Sequence, residues 1–236
     1  MTAKRVSILY LYPYEMNTYG DWGNVCVLQK RLEWRGCQVD VIKHHPGSRL
    51  SRRPDIIFFG GGQDSGQSLI LDDLHKQAPR LREWIEDGVA TLAICGGYQL
   101  LGREFITATG ENLEGVGVFN ITTQAQPGRL IGNVVLTSDR FGSIVGFENH
   151  SGRTFLDGDT EPFGVVDKGS GNNGEDKKEG IITNSAIGTY LHGPLLPKNP
   201  QVADWLIAHA LGVSHKELVQ LPDQFVIQAR LVATRR

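Results

Sequence analysis

The first hundred residues alternate between short apolar runs and longer segments in which apolar residues recur every three or four positions. A short apolar run bounded by turn residues is typical of a strand buried on both faces, and the longer periodic segments are typical of helices. The predicted strands are residues 6–12, 38–43, 55–59 and 90–94, and the predicted helices are residues 21–34 and 66–87. Because strand and helix alternate, the pattern predicts a doubly wound α/β fold, with three layers and a mostly parallel sheet between helices.

After residue 102 the chain changes to short β-rich pieces separated by turns. These pieces are residues 118–123, 129–137, 143–147, 164–167 and 180–183, and we expect them to extend the sheet or to form an antiparallel layer on it. Residues 168–179 contain no apolar side chain, which predicts a mobile surface loop. Helices are predicted at 200–212 and 222–234. No repeat or linker divides the chain, so residues 1–236 are predicted to form a single domain.

Charge and composition argue against several functional classes. The chain has 236 residues with 24 basic and 26 acidic side chains, so it has no basic field that would hold a nucleic-acid backbone. Its apolar runs are shorter than the roughly 20 residues of a membrane-spanning helix, and its first residues show no signal-peptide cleavage site. Cys26, Cys37 and Cys95 have neither the pairing of a disulfide framework nor the spacing of a metal site. We therefore expect a cytoplasmic protein without a metal.

Cys95 lies where a predicted strand turns into a helix, in the sequence AICGGYQ. Ligands of open α/β sheets bind beyond the carboxyl ends of the strands, so a side chain at this turn faces a possible site. A helix N-terminus favours a thiolate, and Gly96 leaves a backbone N–H free to face an oxyanion. The alternative is a buried structural cysteine, which is our interpretation of Cys26 and Cys37. The two glycines that follow Cys95, Gly96 and Gly97, favour a nucleophile over a structural cysteine at this position.

Two further segments follow predicted strands. The turn FGGGQD, residues 59–64, lacks the lysine of a phosphate-binding loop and does not match a dinucleotide fingerprint. It is either an ordinary turn or a source of oxyanion-hole N–H groups. The segment TYLHGP, residues 189–194, places His192 at a strand end, from which its imidazole can reach Cys95 and act as base and then as acid.

Four motifs together resemble the class I (triad) glutamine amidotransferases of the cobyric acid synthase branch. They are GGGQD at 60–64, ICGGYQLLG at 94–102, GFENHSG at 146–152 and TYLHGP at 189–194. The resemblance covers nearly the whole chain and implies a class I amidotransferase fold with a flavodoxin-like core. Within this branch, QPGRLIGN at 126–133 and HGPLLPKNP at 192–200 are most similar to the GatD group, the glutaminase subunits of lipid II isoglutaminyl synthase.

The resemblance implies a role for each of these segments. Cys95 would attack the carboxamide of L-glutamine, and His192 would take the thiol proton and return it to the leaving ammonia. The N–H groups implied in the oxyanion hole are those of Gly96 and of Gly61 or Gly62. The residues implied in substrate binding are Arg129, Gln99, Asn149, His150 and Ser151. On the residues alone, a surface ion pair is an equal alternative for the arginine.

Pro194 departs from the pattern of the family. Many relatives carry a glutamate two residues after the histidine, where it orients the imidazole, and proline offers no carboxylate. We therefore expect the acid to be Asp64, Glu148 or a residue of a partner chain. Because the histidine would then be poorly held in the isolated chain, we expect hydrolysis to be slow alone and faster in a complex.

The chain has no nucleotide-binding loop with which to activate a carboxylate, so an ATP-using synthetase must receive the ammonia. The resemblance implies a Mur ligase-like (MurT-like) partner that holds ATP and Mg²⁺ in a heterodimer, with no cofactor in this chain. The implied acceptor is the α-carboxyl of D-glutamate in lipid II, and the product is D-isoglutamine for peptidoglycan. Three alternatives stay open: an amidotransferase for another synthetase, as in corrinoid synthesis, a cysteine-dependent hydrolase, and a non-catalytic binding module.

Overall fold

The computed structural model describes residues 4–233, apart from the side chains of Asp64 and Ala233. Six of its strands form a central sheet: β1 (Arg5–Leu11), β2 (Gln38–His44), β3 (Ile56–Phe59), β4 (Ala90–Ile94), β11 (Ile181–Thr183) and β12 (Ala186–Thr189). Their order across the sheet is β11-β12-β4-β3-β1-β2. Neighbouring strands pair in parallel, except for the antiparallel pair of β11 and β12.

The strands of this sheet are buried on both faces because successive side chains point to opposite sides. In β1, Ile8 and Tyr10 lie in one apolar cluster, while Leu9 and Leu11 lie in the other. Two helices cover each face, α1 (Trp22–Glu33) and α4 (Pro200–Leu211) on the first, and α2 (Asp64–Glu86) and α3 (Gly96–Leu101) on the second. The three-layer α/β fold predicted from the sequence is confirmed.

A second sheet contains a long antiparallel hairpin of β7 (Ile121–Ser138) and β8 (Gly142–Leu156). The sequence predicts several short strands here, but the structure joins them into two continuous ones. The pairing shifts register around Pro127, which has no N–H to donate. The other strands of this sheet are β5 (Glu104–Ile106), β6 (Asn112–Glu114), β9 (Gly164–Lys168) and β10 (Lys178–Glu179).

The polar segment 168–179 is a surface loop only in part: residues 174–178 are exposed, but residues 171–173 are buried. Asn172 is 0% exposed and Asn173 is 5% exposed. The side-chain amide of Asn172 donates to the Gly180 carbonyl and accepts from the Gly180 N–H, at 3.1 and 2.8 Å, while Asn173 Nδ2 donates to the Thr154 carbonyl at 3.2 Å. Composition misleads for residues 171–173 because their amide side chains and nearby backbone groups satisfy one another, so part of a segment without apolar side chains can be buried.

The last helix is α5 (Gln224–Ala233), and its predicted end at Thr234 lies outside the described residues. Arg31 of α1 connects α4 to the segment before α5, because its guanidinium donates two hydrogen bonds to Asp204 and two to Asp223, all at 2.7–2.8 Å. Within the part of the chain that the structure describes, no helix is long and apolar enough to cross a membrane.

Candidate active site

Cys95 lies at a sharp turn between β4 and α3. It has φ +49° and ψ −104°, a backbone conformation that residues other than glycine rarely adopt. Two hydrogen bonds hold the turn: Cys95 N–H donates to the Thr189 carbonyl at 2.8 Å, and Gly97 N–H donates to the Gly60 carbonyl at 3.1 Å. The cysteine therefore lies at the carboxyl ends of β4, β12 and β3, where ligands of such sheets bind.

His192 and Asp21 lie beside this turn and are both fully buried. His192 follows β12, and its backbone N–H donates to the Phe147 carbonyl of β8 at 2.7 Å. Its Nδ1 lies 3.3 Å from Oδ1 of Asp21, the residue just before α1. Because a carboxylate can only accept, the proton on this side of the ring belongs to Nδ1, and Nε2 is the nitrogen available to Cys95.

Gly61 permits the close approach of these three side chains. A Cβ built on it would lie 2.8 Å from His192 Cε1, 3.0 Å from Asp21 Oδ2 and 3.2 Å from Cys95 Cβ. Its N–H donates to Asp21 Oδ2 at 2.8 Å, so that the other carboxylate oxygen faces the imidazole. Position 61 therefore needs a glycine because the reacting side chains pack against its backbone.

The acid beside His192 differs from the sequence prediction of Asp64, Glu148 or a carboxylate of a partner chain. Glu148 is buried, but its two oxygens accept hydrogen bonds from two consecutive backbone N–H groups, each at 2.8 Å. The Asp64 side chain lies outside the described part of the structure. Asp21 was not predicted because an acid before a helix ordinarily stabilises the helix N-terminus. Since Asp21 holds the histidine within this chain, the reason for expecting slow hydrolysis by the isolated chain no longer applies.

The charges around His192 favour its protonated form. Burial lowers the pKa of this histidine, but the electrostatic influence of the neighbouring Cys95 and the hydrogen bond and charge of Asp21 outweigh burial and raise the pKa to about 10. The imidazolium therefore persists at neutral pH beside the cysteine. This arrangement suits a cysteine nucleophile whose histidine later donates a proton to the leaving group.

Of the three glycines predicted to supply N–H groups to the oxyanion hole, only Gly62 and Gly96 have an N–H available. The N–H of Gly61 is donated to Asp21, so it is not available to a substrate oxygen. The N–H groups of Gly62 and Gly96 donate no hydrogen bond to any residue that the structure describes. They are close together, since a Cβ on Gly96 would lie 2.9 Å from the Gly62 nitrogen. These two N–H groups are placed to stabilise an oxyanion on a carbon attacked by Cys95.

A cleft of about 530 Å³ opens above Cys95. The residues implied in substrate binding all line it: Arg129, Gln99, Asn149, His150 and Ser151. Arg129 donates from Nε and Nη2 to Asn149 Oδ1 and its carbonyl, both at 2.7 Å, and Asn149 Nδ2 donates to the hydroxyl of Tyr19 at 2.6 Å. An amide thus fixes the guanidinium without neutralising it, so Arg129 keeps its positive charge for a substrate carboxylate.

Gln99 and His150 line the cleft, but most of their polar atoms are used within the protein. Gln99 Nε2 donates to Tyr190 OH at 3.1 Å, and its Oε1 accepts from Gln67 Nε2 at 3.0 Å. His150 stacks on Tyr190 with ring centroids 3.6 Å apart, and its Nδ1 donates to the Gly152 carbonyl at 2.7 Å. Burial lowers the pKa of His150 to about 3, so its ring is neutral at pH 7. Gln67 and Tyr190 were not predicted, because a helical glutamine and a strand tyrosine are ordinary structural residues.

The chain is similar to known proteins over most of its length. Residues 7–200 match the CobB/CobQ-like glutamine amidotransferase domain. The chain is 45% identical to the lipid II isoglutaminyl synthase (glutamine-hydrolyzing) subunit GatD of Staphylococcus aureus, over 98% of this chain and 96% of that protein. The GatD subunit of Streptococcus pneumoniae is 40% identical over 92% and 85%. A chain in the structure of PurLQS from Thermotoga maritima shares the fold, with a TM-score of 0.58 at 16% identity over 89% of this chain and 99% of that one. The chain belongs to the CobB/CobQ-like family of glutamine amidotransferases.

Proposed function

We propose that the chain is the glutaminase subunit of a lipid II isoglutaminyl synthase. The observation that carries this proposal is the convergence of Cys95, His192 and Asp21 beneath a cleft that presents the guanidinium of Arg129. The near full-length similarity to two GatD subunits supports the choice of pathway. In this function the chain hydrolyses L-glutamine and supplies the ammonia to a synthetase.

The reaction begins when Cys95 Sγ attacks the carboxamide carbon of L-glutamine. A C–S bond forms while the electron pair of the carbonyl moves to oxygen, which accepts hydrogen bonds from the N–H groups of Gly62 and Gly96. His192 Nε2 then gives its proton to the carboxamide nitrogen, so that ammonia leaves and a thioester remains. The same nitrogen takes a proton from water as the water attacks the thioester. This step releases L-glutamate and restores Cys95.

Two further side chains prepare the reaction without forming bonds to the reacting carbon. Asp21 is a positioning residue, because it keeps the proton of His192 on Nδ1 and leaves Nε2 toward the cysteine. Arg129 binds the α-carboxylate of the substrate, and its contacts with Asn149 set its direction before substrate arrives. Asp21 therefore affects the rate of glutamine hydrolysis, and Arg129 affects the affinity for glutamine.

The released ammonia needs a carboxylate that another subunit has activated. Amide formation from a carboxylate requires ATP, and the sequence contains neither a phosphate-binding loop nor a dinucleotide fingerprint. We therefore propose a Mur ligase-like (MurT-like) partner that binds ATP and Mg²⁺ and forms a heterodimer with this chain. Its acceptor is the α-carboxyl of D-glutamate in lipid II, and the product is D-isoglutamine. The free thiols of Cys26, Cys37 and Cys95 fit a reducing cytoplasm.

The test is release of glutamate and ammonia from L-glutamine by the purified chain, compared with Cys95→Ala and His192→Ala. We expect activity in the wild type and a loss of about 10³-fold or more in each variant. Addition of a MurT-like ligase, ATP, Mg²⁺ and lipid II should yield amidated lipid II, and a corrinoid-pathway synthetase should yield no product. Cleavage of peptides, or no glutamate release even with the ligase, would overturn the proposal.

A further inference from the structure

The cleft has to accept a substrate with two opposite charges on its main chain. L-Glutamine carries an α-carboxylate, for which Arg129 is a partner, and an α-ammonium group with three N–H donors. Among the described residues that line the cleft, none is an Asp or a Glu. Among these described residues, an ammonium group that leaves water therefore finds only neutral hydrogen-bond acceptors.

Gln67, near the start of α2, carries such an acceptor. The residue is 1% exposed and lines the cleft. Its Nε2 donates to the Gly62 carbonyl at 3.3 Å and to Gln99 Oε1 at 3.0 Å. Because a carbonyl can only accept, the nitrogen of Gln67 has to face Gly62, and this sets the orientation of the amide. Its Oε1 is left buried with no hydrogen-bond partner among the described residues.

The other buried amide and imidazole side chains of the cleft, Gln99 and His150, are less suitable acceptors. Gln99 Oε1 already accepts from Gln67. His150 Nε2 is also buried without a hydrogen bond, but it lies 4.0 Å from Glu148 Oε2, on the side of a buried carboxylate. The amide of Gln67 lies next to the oxyanion hole, since a Cβ on Gly96 would be 3.0 Å from Gln67 Nε2. Of these three acceptors, Gln67 Oε1 is the one that is both free and near a substrate held at the nucleophile.

We propose that Gln67 Oε1 accepts a hydrogen bond from the α-ammonium group of L-glutamine and thereby selects α-amino acids over other amides. The inference rests on the proposed glutaminase function and deepens it by naming the group that recognises the substrate. Gln67 contacts the main chain of the substrate and not the carbon under attack. It therefore acts on KM rather than on kcat.

The experiment compares L-glutamine with glutaramate, which has a hydrogen in place of the α-ammonium group. Ammonia release from both is measured with the wild type and with Gln67→Met, which keeps the length of the side chain but has no carbonyl. We expect the variant to raise KM for L-glutamine about tenfold, to change kcat by less than about threefold and to leave glutaramate unaffected. An equal loss of kcat/KM for both substrates would show that Gln67 acts through Gly62, and it would overturn the proposal.

Gln77→Met is the matched control, because Gln77 lies on the same helix α2, does not line the cleft, and its amide donates to the Ser48 carbonyl at 3.3 Å. We expect it to match the wild type on both substrates. Thermal unfolding shows which variants fold. Gln67→Asn is a second variant: its shorter side chain withdraws the amide from the cleft, and we expect the same rise in KM for L-glutamine. Calorimetric binding of both ligands in the Cys95→Ala background repeats the comparison without turnover.

The results distinguish this inference from the function on which it rests. A wild-type chain that releases no ammonia from L-glutamine, with or without its ligase partner, refutes the proposed function. Normal turnover by the wild type, combined with unchanged selectivity between L-glutamine and glutaramate in Gln67→Met, refutes the role of Gln67 alone.

Discussion

Asp21→Asn tests the chemistry of this site most directly, because it removes one charge and changes almost no volume. Asp21 Oδ2 accepts from the Gly61 N–H at 2.8 Å, and Oδ1 lies 3.3 Å from His192 Nδ1. In the variant, the single remaining oxygen must accept from Gly61, which places the amide NH₂ against the imidazole. The ring is then driven to the tautomer with its proton on Nε2, and it loses the base that activates water in thioester hydrolysis.

The expected loss of activity follows from the distance between the Asp21 and His192 side chains and from their burial. Opposite unit charges separated by 3.3 Å interact by about 5 kcal/mol at an effective dielectric constant of about 20, and neither side chain is exposed. Loss of between half and all of this energy corresponds to a decrease of about 10²–10⁴ in kcat/KM. The pKa of His192, about 10 in the wild type, should also fall, so the alkaline limb of the pH profile should move to lower pH.

The assay is ammonia release from L-glutamine over about pH 5–10, with the chain alone and with its ligase partner. Asp73→Asn is the matched control, since Asp73 is also a buried acid beside a histidine, with Oδ2 at 2.7 Å from His44 Nε2, but does not line the cleft. We expect Asp73→Asn to lower thermal stability and to leave kcat/KM within about twofold where it is folded. If Asp21→Asn keeps kcat/KM within about tenfold of the wild type and does not move the alkaline limb, then Asp21 does not orient His192.

Three further predictions concern other parts of the molecule. Gly61→Ala should lower kcat/KM about 10³-fold while the fold persists, because the new Cβ would lie 2.8 Å from His192 Cε1. Gly132→Ala, whose Cβ meets no atom within 4 Å, is the control, and circular dichroism monitors folding. Arg129→Lys should raise KM about tenfold with little change in kcat, since an ammonium cannot reproduce the two-point contact of a guanidinium; an equal loss of kcat would place Arg129 in the chemical step. Burial raises the pKa of Glu179 from 4.5 to about 7, so the wild type loses stability as pH rises through this range. Glu179→Gln should therefore match the wild type in urea unfolding near pH 4.5 and exceed it by about 3 kcal/mol at pH 8, and a pH-independent difference would refute this account.

The central sheet could be predicted from the sequence because a parallel sheet covered on both faces needs continuous apolar runs. The predicted strand 90–94 has the bounds of β4, and both ends of α1, α2 and α4 were predicted to within two residues. The β7–β8 hairpin could not be predicted in the same way. The middle of β7 is mostly exposed, so pairing with β8 rather than burial makes it a strand, and hydrophobicity carries no signal of such pairing.

The nucleophile and its histidine could be proposed because each lies in a short motif directly after a strand, where chemistry is expected in this class of sheet. Arg129 was proposed only through a family resemblance. Its place in the cleft depends on the hairpin, since Asn149 of β8 fixes the guanidinium from across the strand pair. Sequence spacing alone could not distinguish this arginine from one in a surface ion pair.

Asp21 could not be found from spacing, because it lies 171 positions from the histidine that it orients. The sheet order supplies the missing information. The neighbouring strands β12, β4, β3 and β1 each end at the same edge, and the residues that follow them include His192, Cys95, Gly61 and Asp21 in turn. One chain segment after each of four adjacent strands thus contributes one part of the site. In the proposed function, the acid that Pro194 cannot supply to His192 therefore comes from the segment that follows β1.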